Sequence, residues 1–206
     1  MKTFSLIKKL AVITLMLTFT SGCKSVMKLK YGMKEPQAET PERLISFLEK
    51  YKFPADDIYL FSDSASYYQA LRNPVFRKNL LSHMNFDRNG LLLLRDTAQC
   101  QWSGYDVVKA LHPDSSYNSL PGLHLDQILP HIQPVGRDLT RDSLIKKPDF
   151  TVIVTWGKFI GEYNYRLFVL SGAVRENKAA RIRLIFLNID MQESWNLTKQ
   201  QKISVR

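Results

Sequence analysis

Apolar positions along this chain recur in short blocks, each with the period of one secondary-structure element. Thr40-Pro41 offers a capping threonine and a first-turn proline, and Leu44, Phe47, Leu48 and Tyr51 follow at helical spacing. Pro54 should stop that helix. Ile58 to Phe61 (IYLF), bounded by Asp56-Asp57 and Asp63, reads as a short buried strand. Ser64 to Leu71 reads as a helix ended by Asn73-Pro74. His83 to Asp87 and Leu91 to Asp96 flank Arg88-Asn89-Gly90, the signal of a hairpin whose turn residues tolerate positive φ. The run Leu91-Leu92-Leu93-Leu94 is apolar at successive positions, as in a central strand covered on both faces. A helix should open at Ser103-Gly104, point Val107, Val108 and Leu111 inward, and close at Pro113.

Residues 113–148 hold five of the nine prolines, which rules out a long helix there. A short helix around Leu125 to Leu129 is expected, with the rest covering an edge. Phe150 to Trp156 (FTVIVTW) is β-branched and aromatic, hence a strand. Gly157 to Gly161 is a turn. Tyr163 to Glu176 reads as a helix with Tyr165, Phe168, Val169 and Gly172 along one side, and Ile182 to Ile189 as a second buried strand. Strand, helix and strand in that order form a βαβ unit, which places its strands parallel. The expected class is α/β, with the five strands in one sheet flanked by helices.

The N-terminus carries a different pattern. Lys2, Lys8 and Lys9 precede the apolar run Leu10 to Thr20, which leads to Ser21-Gly22-Cys23. That is the layout of a secretory signal peptide. The run is about half of the roughly 20 residues needed to cross a bilayer, so a retained membrane helix is the weaker reading. The formal charge of +10 would suit phosphate contacts in a nucleic-acid binder. In an exported protein with scattered basic residues it suits anionic lipid headgroups or solubility instead, and no nucleic-acid partner is expected. The densest basic cluster, Lys24 to Lys30, lies beside Cys23. A chain of 206 residues with 45% hydrophobic content has enough apolar side chain for one core.

Small residues followed by cysteine at the end of such a run resemble the lipobox of bacterial lipoproteins, although Thr20 stands where that family usually has leucine. The resemblance implies cleavage before Cys23 and lipidation of its thiol and new amino terminus. A plain signal peptide with an incidental cysteine is the competing reading. Residues 1–22 would then be signal peptide, 23–39 a lipidated tether, and 40–206 the folded domain. The covalent lipid at Cys23 is the only prosthetic group expected, and the membrane is reached through it. Two or more acyl chains anchor stably where one does not. Lys24-Ser25-Val26 lacks the acidic run that resembles surface-export signals of the Bacteroidetes group, so a periplasm-facing anchor in the cell envelope, such as the outer membrane, is expected. The segment Asn188 to Trp195 also resembles endings of lipoproteins from that group, which implies no activity.

Val154 to Asn164, with its Trp156 and following turn, resembles the active-site region of the thioredoxin superfamily, where a strand, a tryptophan and Cys-Gly-Pro-Cys lead into a helix. Leu187-Asn188-Ile189-Asp190 resembles the end of that family's next strand. Ile160 and Tyr163 occupy the two cysteine positions and Glu162 the usual proline. His83 to Leu111 resembles the family's carboxyl-terminal half, placed here upstream. The resemblance implies a thioredoxin-like mixed sheet flanked by helices in circularly permuted order. Dithiol exchange needs an activated thiolate and a resolving thiol, which Ile160 and Tyr163 cannot supply. What remains is a redox-inactive scaffold for an envelope protein or peptide partner, with Trp156, Phe159, Ile160 and Tyr163 as a binding groove. The same four residues would equally serve as core. The alternative function is a single-cysteine redox enzyme using Cys100, a residue that reads as well as a small buried thiol.

The remaining residue types carry no clear chemistry. His83, His112, His124 and His131 have no zinc-ligand spacing, so no metal is expected. Asp56, Asp57, Asp63 and Asp87 sit at strand ends and turns, where carboxylates usually act as caps. No Gly-x-Ser-x-Gly or phosphate-loop motif occurs.

Overall fold

The computed structural model describes residues 29–53, 58–94, 104–135 and 147–198. Cys23, Cys100, Pro54, Asp56-Asp57 and the expected end of the hairpin at Arg95-Asp96 lie outside the described residues. The described chain is a three-layer α/β structure built on one mixed seven-stranded sheet. Its strands are β2 (Ile58–Phe61), β3 (His83–Asp87), β4 (Leu91–Leu93), β5 (Ser119–His124), β6 (Ile132–Pro134), β7 (Phe150–Trp156) and β8 (Ile182–Asn188), in spatial order β5-β4-β3-β7-β8-β2-β6. A separate two-stranded ladder joins β1 (Ala38–Glu39) to β9 (Met191–Gln192) in parallel. The five expected strands share the sheet, and β7 and β8 are parallel neighbours in register from Phe150↔Ile182 to Trp156↔Asn188.

Burial explains why β7 and β8 read as near-continuous apolar runs. A strand covered on both faces has no solvent side to make polar. Val152, Val154, Trp156, Leu184 and Phe186 face one core. That core is closed by α1 (Pro41–Lys50), α4 (Gly104–Lys109), α5 (Asn164–Phe168) and α6 (Leu170–Glu176). Ile153, Ile185 and Leu187 face the other, with α2 (Ser64–Arg72) and α3 (Pro74–Lys78) supplying Tyr67 and Phe76. In α1, Thr40 caps the helix through Arg43 N–H, and Leu44 and Leu48 are fully buried, as the helical spacing predicts. Phe47 of the same face stacks on Trp156 with ring centroids 6.1 Å apart.

Several local expectations change in the fold. β4 is not covered on both faces: Leu92 is buried, but Leu91 and Leu94 are 42% and 47% exposed. It lies one strand from the edge, where the cover thins. In the hairpin turn only Gly90 takes a positive φ, of 80°, while Asn89 does not. Asp87 Oδ1 accepts the backbone N–H of Asn89 and of Leu91, at 2.9 and 2.8 Å, which holds a longer loop instead of a two-residue turn. Residues 113–148 contain two unforeseen strands, β5 and β6, one at each edge of the sheet. The helix expected at Leu125 to Leu129 is two 3-10 turns, Leu125–Gln127 and Leu129–His131, since Pro130 interrupts it. The helix expected at Tyr163 to Glu176 is divided into α5 and α6 at Val169. Its buried side carries Leu167, Phe168, Leu170 and Ala173, whereas Tyr165 and Val169 face solvent. No helix of the described residues is long and apolar enough to cross a membrane.

Candidate functional site

Strands β2, β7 and β8 run parallel, so their carboxyl ends lie together. In open α/β sheets this end is where ligands are usually met. Here it holds the turn after β7, the polar tail of β8, and a length of the chain's own N-terminal segment.

The turn begins at Gly157 and runs through a 3-10 segment, Lys158–Tyr163. A fully buried side chain, Asn164, ties it shut. Its Nδ2 donates to the carbonyls of Gly157 and Gly161 at 2.8 and 2.9 Å, and its Oδ1 accepts from Gly157 N–H at 3.3 Å. Gly161 sits at φ 58°. A Cβ built there would lie 2.2 Å from the carbonyl oxygen of Tyr31, so glycine is required by conformation and by space.

The four residues expected to form a groove do not share one surface. Trp156 and Ile160 are fully buried in the core, and Trp156 Nε1 donates to Phe186 O at 3.3 Å. Phe159 and Tyr163 are half-buried. Of the two positions where the resemblance puts thiols, one is therefore interior hydrocarbon and the other a tyrosine ring packed edge-on against Tyr31 at 5.3 Å.

The segment read as tether lies against this turn from Tyr31 onward. Lys34 N–H donates to Phe159 O at 2.7 Å. Ala38 and Glu39 pair with Met191 and Gln192. Lys158 Nζ meets Glu39 Oε2 at 2.8 Å, with the Glu39 side chain almost wholly buried. Residues 31–39 thus form a strap across the carboxyl ends of the strands.

Beneath the strap is a buried polar cluster that the sequence pattern did not single out as a site. Asp190 Oδ2 accepts from Lys158 N–H at 2.6 Å and from Asn188 Nδ2 at 2.9 Å. Asn188 Oδ1 accepts Asp190 N–H at 3.0 Å, and Gln192 Nε2 donates to Asp190 O at 2.9 Å. Asp190 Oδ1 and Gln192 Oε1 are buried acceptors with no hydrogen-bond donor among the described residues. Burial, reinforced by the negative charge of Glu39 and opposed by those N–H groups, pushes the Asp190 carboxyl up to about 6. Tyr67 donates to Ile189 O at 3.3 Å, and burial together with the Asp190 charge pushes its phenol up. The signal that could have found this cluster is Asn188-x-Asp190-x-Gln192, polar at every second position directly after an all-apolar strand.

The histidines and other carboxylates serve the fold. His124 Nε2–H donates to Asn89 O at 2.8 Å and its Nδ1 accepts Asp126 N–H at 3.2 Å, bracing the hairpin loop. His112 Nδ1 accepts Asp114 N–H at 3.2 Å, and His83 is buried. His131 Nδ1 and Ser66 Oγ are 3.2 Å apart beside a cavity of about 100 Å³. Asp63 caps α2 by accepting Ser66 N–H at 2.7 Å, and that bond, the Ser66 hydroxyl and the nearby His131 hold its carboxyl low. Asp87 braces the hairpin loop. No group of three or more metal-ligating side chains occurs among the described residues.

No protein-family model, curated protein or solved structure matches this chain. Its own geometry carries the functional argument. That geometry holds a turn without a thiol, a buried carboxyl pushed up to about 6, and extended backbone docked over both.

Proposed function

We propose that this chain is a lipid-anchored protein of the bacterial envelope whose domain, a redox-inactive thioredoxin-like scaffold in permuted order, serves as a protein- or peptide-binding accessory factor. Two features support the scaffold. The hairpin β3–β4 joins the βαβ unit through the antiparallel β3–β7 pairing, so the halves make one sheet although their order is swapped. Ile160 and Tyr163 at the thiol positions remove dithiol chemistry from the turn whatever the protein's partners.

The observation that carries the binding function is the strap. The turn already holds extended backbone, through Lys34 N–H on Phe159 O and the β1–β9 ladder. Backbone groups that pair with a strand of the chain itself have the spacing to pair with a partner's strand that displaces the strap. The domain would gather its partner at the membrane without transforming it.

A photocrosslinking residue tests this directly. Glu162 is exposed at the turn, and Glu162→p-benzoylphenylalanine in the native envelope should give one adduct of discrete mass. The same probe at Leu91, at the other end of the sheet, should not. Crosslinks from position 162 confined to the chain itself would refute the binding function.

A further inference from the structure

The strap fixes more than the turn, because it also sets how far the domain can stand from its anchor. Five residues separate Cys23 from Leu29, and a fully extended chain spans at most about 3.6 Å per residue. Leu29 therefore lies within roughly 20 Å of the point of acylation. By Tyr31 the chain is already docked on Tyr163 and Gly161. A tether this short keeps the surface around Tyr31 close to the bilayer and within reach of it.

The side chains on that surface have the chemistry of a membrane interface. Leu29 is 91% exposed, Tyr165 66% and Val169 36%, half of the six exposed large hydrophobic residues among those described. Arg166 lies 5.4 Å from the centroid of the Tyr31 ring and 6.0 Å from that of Tyr163, and Lys30 lies 5.4 Å from Tyr31. Behind Tyr165, Arg166 and Val169 is an open cavity of about 460 Å³, whose wall includes Leu81 and Tyr105. Aromatic rings with exposed edges settle at headgroup depth, and arginine and lysine lay their stems on apolar surface while the cation meets phosphate. Lys24 and Lys28, in the stretch between the anchor and Leu29, add charge of the same sign.

We infer that the patch formed by Leu29, Lys30, Tyr31, Tyr165, Arg166 and Val169 is a membrane-docking surface, and that its partner is an anionic phospholipid bilayer. The inference rests on the proposed anchor at Cys23, and it adds a fixed orientation to it. In this orientation the side of the carboxyl end that bears Tyr31 and Arg166 meets the lipid, the β1–β9 ladder is left for a partner, and the Asn89-Gly90 loop, at the far end of the sheet, faces away. Register places that loop there, since Asp87 pairs with Phe150 at the start of β7.

The test separates the patch from the anchor. The mature chain carrying Cys23→Ser and Cys100→Ser is held by a hexahistidine sequence, in place of the acyl groups, on phosphatidylglycerol-containing vesicles that include a nickel-chelating lipid. An environment-sensitive dye is placed on Tyr165→Cys, or on Leu91→Cys at the far end, and quencher lipids labelled at the headgroup report proximity. Dye at 165 should be strongly quenched and dye at 91 should not. High salt should weaken the quenching at 165. Each basic residue near an anionic surface is worth a factor of about five in affinity. Reversing one with Arg166→Glu should therefore lower the docked-to-undocked ratio by roughly twentyfold or more. Tryptophan fluorescence checks that the variants stay folded. Equal quenching at both positions, quenching at 91 alone, or no quenching at 165 would overturn the inference, the last pointing to a protein seat instead. Fatty-acid labelling of the native chain judges the anchor separately, because the vesicle experiment does not use the acyl groups.

Discussion

Asp190 provides the sharpest test of how the site is built. Its carboxyl is 1% exposed and sits at about 6, against an ordinary value of 3.8. The folded protein thus holds this proton more tightly than the unfolded chain does. The resulting stabilisation is complete below the unfolded value and is lost as pH rises through about 6. A shift of about two units corresponds to roughly 3 kcal/mol at neutral pH. Asp190→Asn removes the titration while leaving an amide oxygen to accept from Lys158 N–H and Asn188 Nδ2. The stability of the variant minus that of the wild type should therefore rise by about 2–3 kcal/mol between about pH 4 and pH 8. The difference matters, since either curve alone mixes in groups of opposite sign. Asp63, Asp149 and Glu176 are held low by Ser66 N–H, Arg181 and Lys109 respectively, and lose their contributions as pH falls. Urea denaturation of both proteins across that range measures the quantity. A difference that stays flat with pH would show that the Asp190 carboxyl is solvated or paired, and the buried-cluster argument would fail. Asp190→Ala is a useful control. It leaves two buried donors without an acceptor, so it should be less stable than Asp190→Asn at every pH.

Asn164→Ala removes three hydrogen bonds that close the turn. It should cost about 2–4 kcal/mol, read from the shift in denaturant midpoint. Gly161→Ala places a methyl group against Tyr31 O, where a Cβ would be only 2.2 Å away. It should lift the strap, seen as faster amide hydrogen exchange at Lys34 and residues 38–39 while β7 and β8 stay protected. The purified domain should not reduce insulin disulfides with dithiothreitol as donor, and Cys100→Ser should leave that result unchanged. A maleimide should label Cys100 slowly in the native protein and quickly in denaturant. Rapid native labelling coupled to turnover of a peroxide or disulfide would favour the single-cysteine enzyme. Cys23→Ala should abolish incorporation of labelled fatty acid and release the protein from membranes on carbonate washing, and persistent labelling would sink the anchor.

What the chain determines locally was readable along it. Thr40-Pro41, the runs Ile58–Phe61, Phe150–Trp156 and Ile182–Ile189, and the place of the hairpin turn at Asn89-Gly90, though not its type, were marked by caps, apolar runs and turn residues. Each of these depends on neighbours only a few positions away. The parallel pairing of β7 and β8 was readable too, because a strand, a helix and a strand in that order normally leave the two strands parallel. Only the tertiary structure decided which apolar residues lie inside. Tyr165 and Val169 share a helical stripe with Phe168, yet they face solvent, because the helix is seated on the sheet with Asn164, Leu167, Phe168 and Leu170 inward. Edge strands β5 and β6 lie in a proline-containing stretch with weak alternation, and they exist because β4 and β2 offer them partners. The Asp190 cluster was hidden for the same reason. A carboxylate after a strand reads as a solvated cap until residues about 150 positions away in the chain, Ala38 and Glu39, are laid over it. Burial is a sum over distant contacts, and no local window of sequence contains it.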